Sequence, residues 1–164
     1  MTVVSTIKDP ESLSLTVVAE FDWVPERVWR VREDVRKLEQ WWGPPSWPAS
    51  FTRHDFVVGD ESPYHLTGPR EEVHRGFGRM CAIDWPKRLD FAHGLAGSDG
   101  EPTPEVPLVA GYVTFDATDR ETRMTVMTRF IDLTQMEMML GMGVAEGMTQ
   151  AVGQIDALLA SASV

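Results

Sequence analysis

The stretch LSLTVVAEFDWVPERVWRVREDVRKLEQWWGPP, residues 13–45, places a β-strand directly before a helical region. Apolar and polar residues alternate up to Phe21, which predicts a strand with one buried face. Pro25 then stands at a favourable first helical position, and apolar residues recur near helical spacing until Gly43 and two prolines end the pattern. A break near Asp34 would divide this region into two short helices.

Downstream, residues 49–130 change to a two-residue alternation that turn residues interrupt. This pattern predicts six consecutive strands in an antiparallel meander, with a loop over 96–105. The segment TQME then matches a capping box, in which Thr134 caps a helix and Glu137 reaches back to the cap. Because apolar residues continue at helical spacing, the helix is expected over about 135–160, roughly 38 Å long at about 1.5 Å per residue.

Together these elements predict an α+β fold. A curved antiparallel sheet of about seven strands would wrap around a long C-terminal α-helix, with two short helices after the first strand. A sheet with one apolar face needs a cover, and the C-terminal helix is the only element long enough to supply it. The 164 residues, 43% of them apolar, suffice for one core. We therefore expect an N-terminal tail over 1–12 and a single domain over 13–162.

Three segments resemble a known family. The segment FDWVPERVWRVREDVRKLEQWWGP matches the family pattern at Pro25, Val28, Trp29, Trp41, Trp42, Gly43 and Pro44. The hairpin GRMCAIDWPKRLDF matches at Gly78, Ile83, Pro86, Arg88 and Leu89, and Asp55 and Gly59 fit the segment between. The chain thus resembles the bacterial AHSA1-like proteins, related to the activator of the heat-shock-protein-ninety ATPase, in the SRPBCC superfamily of START-like and Bet v 1-like proteins. This resemblance implies the helix-grip fold, with a hydrophobic cavity between the sheet and the C-terminal helix.

The charge balance argues against nucleic acid as a partner. Fifteen basic and 25 acidic residues give a formal net charge of −10, which disfavours neutralising many phosphates. The densest basic group lies in the first helical region, where acidic residues are interleaved at spacings of three and four. This group is therefore interpreted as a solvated helix face with ion pairs, formed by Arg27, Arg30, Arg32, Arg36 and Lys37.

Other motifs narrow the function classes further. The sequence has no apolar run long enough for a membrane span and no signal-peptide pattern, and its lone Cys81 fits a reducing compartment, so a cytoplasmic protein is expected. The histidines lack metal-ligand spacing, and no CxxC, GxSxG or nucleotide-binding motif occurs. We therefore predict no metal, no cofactor and no catalytic residue, and leave monomer and homodimer open.

Candidate ligand-contacting residues on the strands follow from side-chain alternation. Phe91 and His93 share one parity, so His93 would be a polar tip on an otherwise apolar inward row. Tyr64 and His65 point to opposite faces, so only one of them can look inward.

Candidates on the helices follow from helical phase. Trp42 continues the apolar row of the first helical region, whereas Trp41 is rotated by about 100°, so Trp42 is expected in the core or as a lid and Trp41 near an edge. On the C-terminal helix, flexible methionines beside glycines suit an adaptable cavity wall, although a plain core is the more common use. The complete candidate set is Trp42, Tyr64, Phe91, His93, Met142 and Met148.

Three functions stay open at this stage. The first is binding of a small hydrophobic or amphipathic molecule in the cavity, without catalysis. The second, implied by the superfamily, is a polyketide cyclase- or dehydratase-like enzyme in which His93 or Tyr64 acts as acid or base. The third is a co-chaperone-like protein interaction. Two or more convergent titratable groups in the cavity would favour chemistry, and a single polar group would favour binding.

Overall fold

The computed structural model describes residues 3–103 and 107–161. The first two residues of the expected tail, the last two of the expected loop at 96–105, and residue 162 at the expected domain end lie outside these ranges. The strands are β1 Val3–Asp9, β2 Ser14–Phe21, β3 Ala49–Phe51, β4 Glu61–Thr67, β5 Val73–Asp84, β6 Arg88–Leu95, β7 Val109–Thr118 and β8 Glu121–Arg129. The helices are α1 Pro25–Glu33, α2 Val35–Leu38, α3 Leu133–Gly141, α4 Val144–Val152 and α5 Ile155–Ser161.

The strands of the described ranges form one antiparallel sheet in the order β1-β2-β8-β7-β6-β5-β4-β3. The predicted α+β helix-grip fold is confirmed: one strand, two short helices, six strands and a C-terminal helical segment occur in the expected order. Alternation places one parity of each long strand inward, as the buried Leu15, Val17, Ala19 and Phe21 of β2 illustrate.

The sheet has eight strands where about seven were expected, because the expected N-terminal tail contains β1. β1 pairs antiparallel with β2, with Lys8 opposite Leu15, and its outer edge is unpaired among the described strands. The Asp9 carboxylate accepts from the Glu11 amide at 3.0 Å in the connecting turn. β-Branched residues favour a strand here, but side chains such as Ile7 are exposed, so this edge lacks the apolar row that marks a half-buried strand.

The first helical region divides at Asp34, as the sequence predicts. Asp34 ends α1 and caps α2, where its carboxylate accepts from the Arg36 amide at 3.0 Å. Pro25 occupies the first turn of α1, where its missing N–H leaves no helical bond unmade. The helical pattern ends at Leu38, earlier than the expected stop at Gly43.

The C-terminal helical segment consists of three successive helices, α3, α4 and α5. Gly143 interrupts it between α3 and α4 in a left-handed conformation with φ of 88°, which glycine adopts without steric cost. The predicted cap at Thr134 is wrong. Asp132 caps α3 by accepting from the Gln135 amide at 2.8 Å, and the Gln135 side chain accepts from the Ile131 amide at 2.9 Å. The cap therefore lies two residues earlier than expected, and the Gln135 side chain bonds the amide before the cap residue where a capping box would bond that of the cap residue itself.

The helices cover the inward face of the sheet. α4 packs on β1 and β2, whereas α1 packs on β7, β8 and α5. The main buried cluster joins these layers through Trp29, Phe115 and Ile155. In the part of the chain described, no helix is long and apolar enough to cross a bilayer.

Candidate functional site

A cavity of about 410 Å³ lies between the sheet and the helices. Its walls come from strands β4 to β8, from α1 and α4, and from the corner that follows α2. All six residues selected from the sequence line it, namely Trp42, Tyr64, Phe91, His93, Met142 and Met148. Their location on the wall is a structural observation, and their contact with a ligand stays a prediction.

Two aromatic side chains that line the cavity lie over glycines on neighbouring strands. Phe91 on β6 pairs with Gly111 on β7, and a Cβ at Gly111 would come within 2.6 Å of the Phe91 ring. Tyr64 on β4 pairs with Gly76 on β5, and a Cβ there would clash with the Tyr64 ring. The glycines therefore let both rings lie flat against the sheet, so that the rings form the floor of the cavity without filling its centre.

Of the two adjacent tryptophans, Trp42 lines the cavity, which agrees with its expected place as a lid, whereas Trp41 is not at an edge. Trp41 is buried, with 5% exposure, and its indole N–H donates to the Val31 carbonyl at 2.7 Å. Trp42 is half-buried and forms a wall of the cavity. The expectation of Trp41 near an edge is wrong because α2 ends at Leu38, so helical phase cannot be extended to either tryptophan. Gln154 holds this corner by donating to the carbonyl of Gly43 at 2.7 Å.

Trp42 is the centre of an aromatic cluster. Its ring centroid lies 5.9 Å from that of Tyr64, 6.2 Å from that of Phe91 and 6.5 Å from that of His93, each in an edge-to-face arrangement. Such contacts stabilise aromatic pairs beyond simple burial and limit the freedom of the rings. The aromatic side of the cavity is therefore largely fixed in shape.

Arg32 is the principal site residue that the sequence interpretation missed. It is 7% exposed and lines the cavity, so it does not belong to a solvated helix face. Its guanidinium carbon lies 5.1 Å from the Trp42 ring centroid and 4.9 Å from that of Phe91. A signal was available in the sequence, because Arg32 follows Trp29 by three residues and Val28 by four, and both are fully buried on the same face of α1.

Within the described part of the chain, the guanidinium of Arg32 has no compensating acid. Over residues 3–103 and 107–161, Arg32 forms no ion pair, and its Nε has no hydrogen-bond partner. Cation–π contacts contribute about 0.5–2 kcal/mol, whereas removing one ion from water costs several kcal/mol. Burial accordingly lowers the pKa of Arg32 to about 10, which leaves the group protonated at neutral pH. The cavity thus contains a positive charge that the protein itself only partly stabilises.

Two neutral polar groups accompany this charge. His93 is 8% exposed, and its Nε2 has no hydrogen-bond partner in the described structure. Burial, and then the charge of Arg32, lower the pKa of His93 to about 4, so its imidazole is neutral at pH 7. Burial raises the pKa of Tyr64, although the Trp42 indole and Arg32 act in the opposite direction. The Tyr64 phenol is therefore a neutral hydrogen-bond donor.

His54 supports Arg32 from outside the cavity. One ring nitrogen lies 3.0 Å from the Ser62 hydroxyl and the other 3.2 Å from the backbone oxygen of Arg32. These bonds link the start of β4 to the end of α1. Burial, followed by the charge of Arg32, lowers the pKa of His54. The backbone that carries the guanidinium is therefore held by a neighbouring side chain.

The helical wall is less enclosed than the aromatic wall. Met148 is half-buried, whereas Met142 is 65% exposed. The exposed His74 also lines the cavity, and its ring lies against that of Trp47 with a centroid distance of 4.6 Å and an interplanar angle of 36°. Met142 and His74 therefore mark the side where the cavity meets solvent. No group of three or more His, Cys, Asp or Glu suited to a metal ion occurs among the residues that the structure describes.

The chain is similar to one protein family and to several solved structures. The family model for Activator of Hsp90 ATPase homolog 1-like protein matches residues 22–160. A protein from Arthrobacter aurescens, solved by NMR, is 43% identical with a TM-score of 0.93, and the match covers 99% of this chain and 94% of that chain. A crystal structure from Mycobacterium smegmatis is 36% identical with a TM-score of 0.89, covering 99% of both chains.

A more distant structure shares the fold. The AHSA1 protein from Silicibacter pomeroyi is 21% identical with a TM-score of 0.73, and the match covers 90% of this chain and 97% of that chain. No curated protein sequence matches the chain.

Proposed function

Because the chain belongs to the family of Activator of Hsp90 ATPase homolog 1-like proteins, whose helix-grip fold it adopts, we propose that its cavity binds a small hydrophobic or amphipathic molecule. The observation that carries this proposal is the cavity of about 410 Å³ between the sheet and the helices. That volume falls in the range of about 300–1,000 Å³ typical of ligand pockets.

The composition of the wall supports binding by apolar burial with a few orienting polar groups. Val113, Phe115, Met124 and Val126 supply an apolar surface from β7 and β8, opposite Met148 on α4. Burial of apolar ligand surface stabilises a complex roughly in proportion to the area removed from water. Arg32, Tyr64 and His93 would then set the orientation of the ligand.

An enzyme of the cyclase or dehydratase type is a second candidate. The observation that favours it is that the cavity lining contains several titratable groups, of which Arg32, Tyr64 and His93 are buried or half-buried. A general base works best when its pKa lies near the working pH, but burial and Arg32 lower the pKa of His93 to about 4. A cation beside two neutral polar groups is better suited to holding an anion than to removing a proton. Binding therefore remains the first proposal.

The other expectations from sequence stay predictions. A co-chaperone-like interaction is suggested by the name of the family, and a cytoplasmic location by the lone Cys81 and the absence of a signal pattern in the sequence. A ligand-binding titration tests neither the protein interaction nor the location.

Fluorescence titration with N-phenyl-1-naphthylamine, an uncharged aromatic probe, tests the proposed function. We expect saturable binding at about one probe per chain. Val126→Phe places a ring in the cavity from β8, because Val126 is 7% exposed and lines the wall. The affinity for the probe should fall about tenfold or more in this variant.

The matched control is Val73→Phe, which makes the same change at a position on β5 that is 47% exposed and away from the cavity. It should bind as the wild type does, and circular dichroism should show that both variants are folded. Wild-type protein that does not saturate, or a folded Val126→Phe variant with unchanged affinity, would refute the proposal. If the probe binds and the Val126→Phe variant weakens its binding, a thermal-shift panel of fatty acids, flavonoids, sterols and aromatic polyketides would identify the ligand class.

A further inference from the structure

Arg32 is a charged group with a place in the cavity but no counterion in the described protein. Its guanidinium lies against the faces of Trp42 and Phe91, and its Nε has no hydrogen-bond partner there. Other cations of this chain pair readily, as in the contact of 2.7 Å between Arg88 and Asp90. The ion pairs of the described residues thus involve cations outside the cavity, and the Arg32 guanidinium takes part in none of them.

A second polar atom on the same wall also lacks a partner. His93 Nε2 is buried without a hydrogen bond in the portion of the chain that the structure describes. The His93 ring lies 5.2 Å from Phe91 and 6.5 Å from Trp42, the same two rings that contact Arg32. Buried polar atoms in native proteins are almost always satisfied by protein, water or ligand. Two unsatisfied groups beside the same pair of rings therefore mark one polar end of an otherwise apolar cavity.

We propose that the ligand of this cavity carries a carboxylate, which the Arg32 guanidinium binds while His93 and Tyr64 contribute hydrogen bonds and the apolar body of the ligand lies against β7, β8 and α4. This inference rests on the proposed ligand-binding function and specifies the chemical class of the ligand. A guanidinium presents a planar fork of donors that matches the two oxygens of a carboxylate.

A monoanion fits the site better than a dianion. Arg32 is the cation on the described wall, and His93 and Tyr64 are neutral near pH 7. One carboxylate would neutralise one guanidinium, whereas a phosphate monoester would bring close to two negative charges and leave one of them buried without a partner. The aromatic surround favours a flat or aliphatic body attached to that single charge.

Isothermal titration calorimetry with three probes on the same ring system tests the inference. The probes are 2-naphthoate, the neutral 2-naphthamide and 2-naphthyl phosphate. We expect the wild type to bind 2-naphthoate about tenfold or more tightly than the other two. Arg32→Met should abolish this preference while it retains affinity for the amide. Arg32→Lys, which keeps the charge but loses the planar fork, should keep part of the preference.

Arg30→Met is the matched control, because Arg30 lies on the same helix but is exposed and outside the cavity wall. It should leave all three affinities unchanged. Equal binding of carboxylate and amide by the wild type, or a preference that survives Arg32→Met, overturns the carboxylate inference while leaving the proposed function intact. Tighter binding of the phosphate overturns the monoanion assignment. If neither these probes nor N-phenyl-1-naphthylamine binds, the proposed function itself fails.

Discussion

The single helix α1 contributes to two contrasting regions. Trp29 lies in a packed region, where its ring centroid is 5.2 Å from that of Phe115 and 5.8 Å from that of Phe56. Arg32, one turn later, lies in the cavity with a charge that the described protein does not pair. Side chains fill the packed region, whereas the cavity has a volume of about 410 Å³ and contains polar atoms without a partner among the described residues. The first region therefore stabilises the fold, whereas the second carries the cost of burying a charge that the described protein does not pair.

The packed region satisfies its polar groups internally. The Trp29 indole N–H donates to the Glu33 carboxylate at 3.3 Å, and the ring itself is fully buried. Trp41, between the two regions, also has its indole N–H satisfied, by Val31. At the cavity, by contrast, Arg32 Nε and His93 Nε2 have no partner within the described ranges. Substitutions at Trp29, Arg32 and His93 test this contrast.

Truncating Trp29 to Ala should cause the largest change. Removal of a fully buried indole leaves a cavity in a region with no ligand to fill it, so we expect a loss of about 3–5 kcal/mol in the free energy of unfolding. Urea denaturation measures this loss. Trp85→Ala is the control, because Trp85 is 60% exposed and its truncation should change stability by about 0.5 kcal/mol or less. Similar losses in both variants would contradict the description of the packed region.

Replacing Arg32 with Met should act in the opposite direction. Met fills similar space without a buried charge, so the ligand-free protein should gain about 1–4 kcal/mol in the free energy of unfolding. Arg30→Met, at an exposed position of the same helix, should change stability by about 0.5 kcal/mol or less. A marked loss of stability in Arg32→Met would mean that the guanidinium is structural, and that the ligand-free protein already compensates its charge.

His93 should make a smaller contribution, to the pH dependence of the free energy of unfolding. Burial, and then Arg32, lower its pKa in the folded protein to about 4, below the value of about 6.5 expected when unfolded. Between these values the unfolded chain binds more protons, so the contribution of His93 is complete above about pH 6.5 and is lost as the pH falls towards 4. We expect this loss to be on the order of 1–2 kcal/mol between pH 7 and pH 5.

His93→Phe isolates that contribution. His54 also has a pKa lowered by burial and remains in both proteins, so the difference between wild type and variant reports on His93. Thermal melts from pH 7 to pH 5 should show a smaller decrease in Tm for the variant. Parallel decreases in the two proteins would show that His93 titrates equally in the folded and unfolded states.

Much of the fold was readable from local patterns. The alternation in β2, Pro25 at the start of α1 and Asp34 at the boundary of α2 each appear in the structure where the sequence predicted them. Local patterns were less informative where the element was exposed or short. β1 lacks a buried apolar row, and the phase of α2 could not be extended to Trp41 and Trp42 once the helix ended at Leu38.

The candidate site was only partly predictable. Strand parity correctly put Phe91 and His93 on the inward side, because alternation depends only on the extended backbone. Arg32 was misassigned because its acidic neighbours in sequence suggested ion pairs in water. Its helical spacing from Val28 and Trp29 was the better indicator, since the side of a helix that is buried is decided by what packs against it.

Local patterns and motifs in the sequence are sufficient for the order of the elements from β2 onwards, the inward parity of the long strands and the family, because these depend on local backbone preferences and on motifs. The tertiary structure decided that the sheet and helices leave a cavity and that Arg32 and His93 share its polar end. It also decided that Gly76 and Gly111 make room for aromatic rings. These features depend on residues that are far apart in the chain. Whether a charge is buried, and whether it has a partner, is therefore known only when all the surrounding elements are in place.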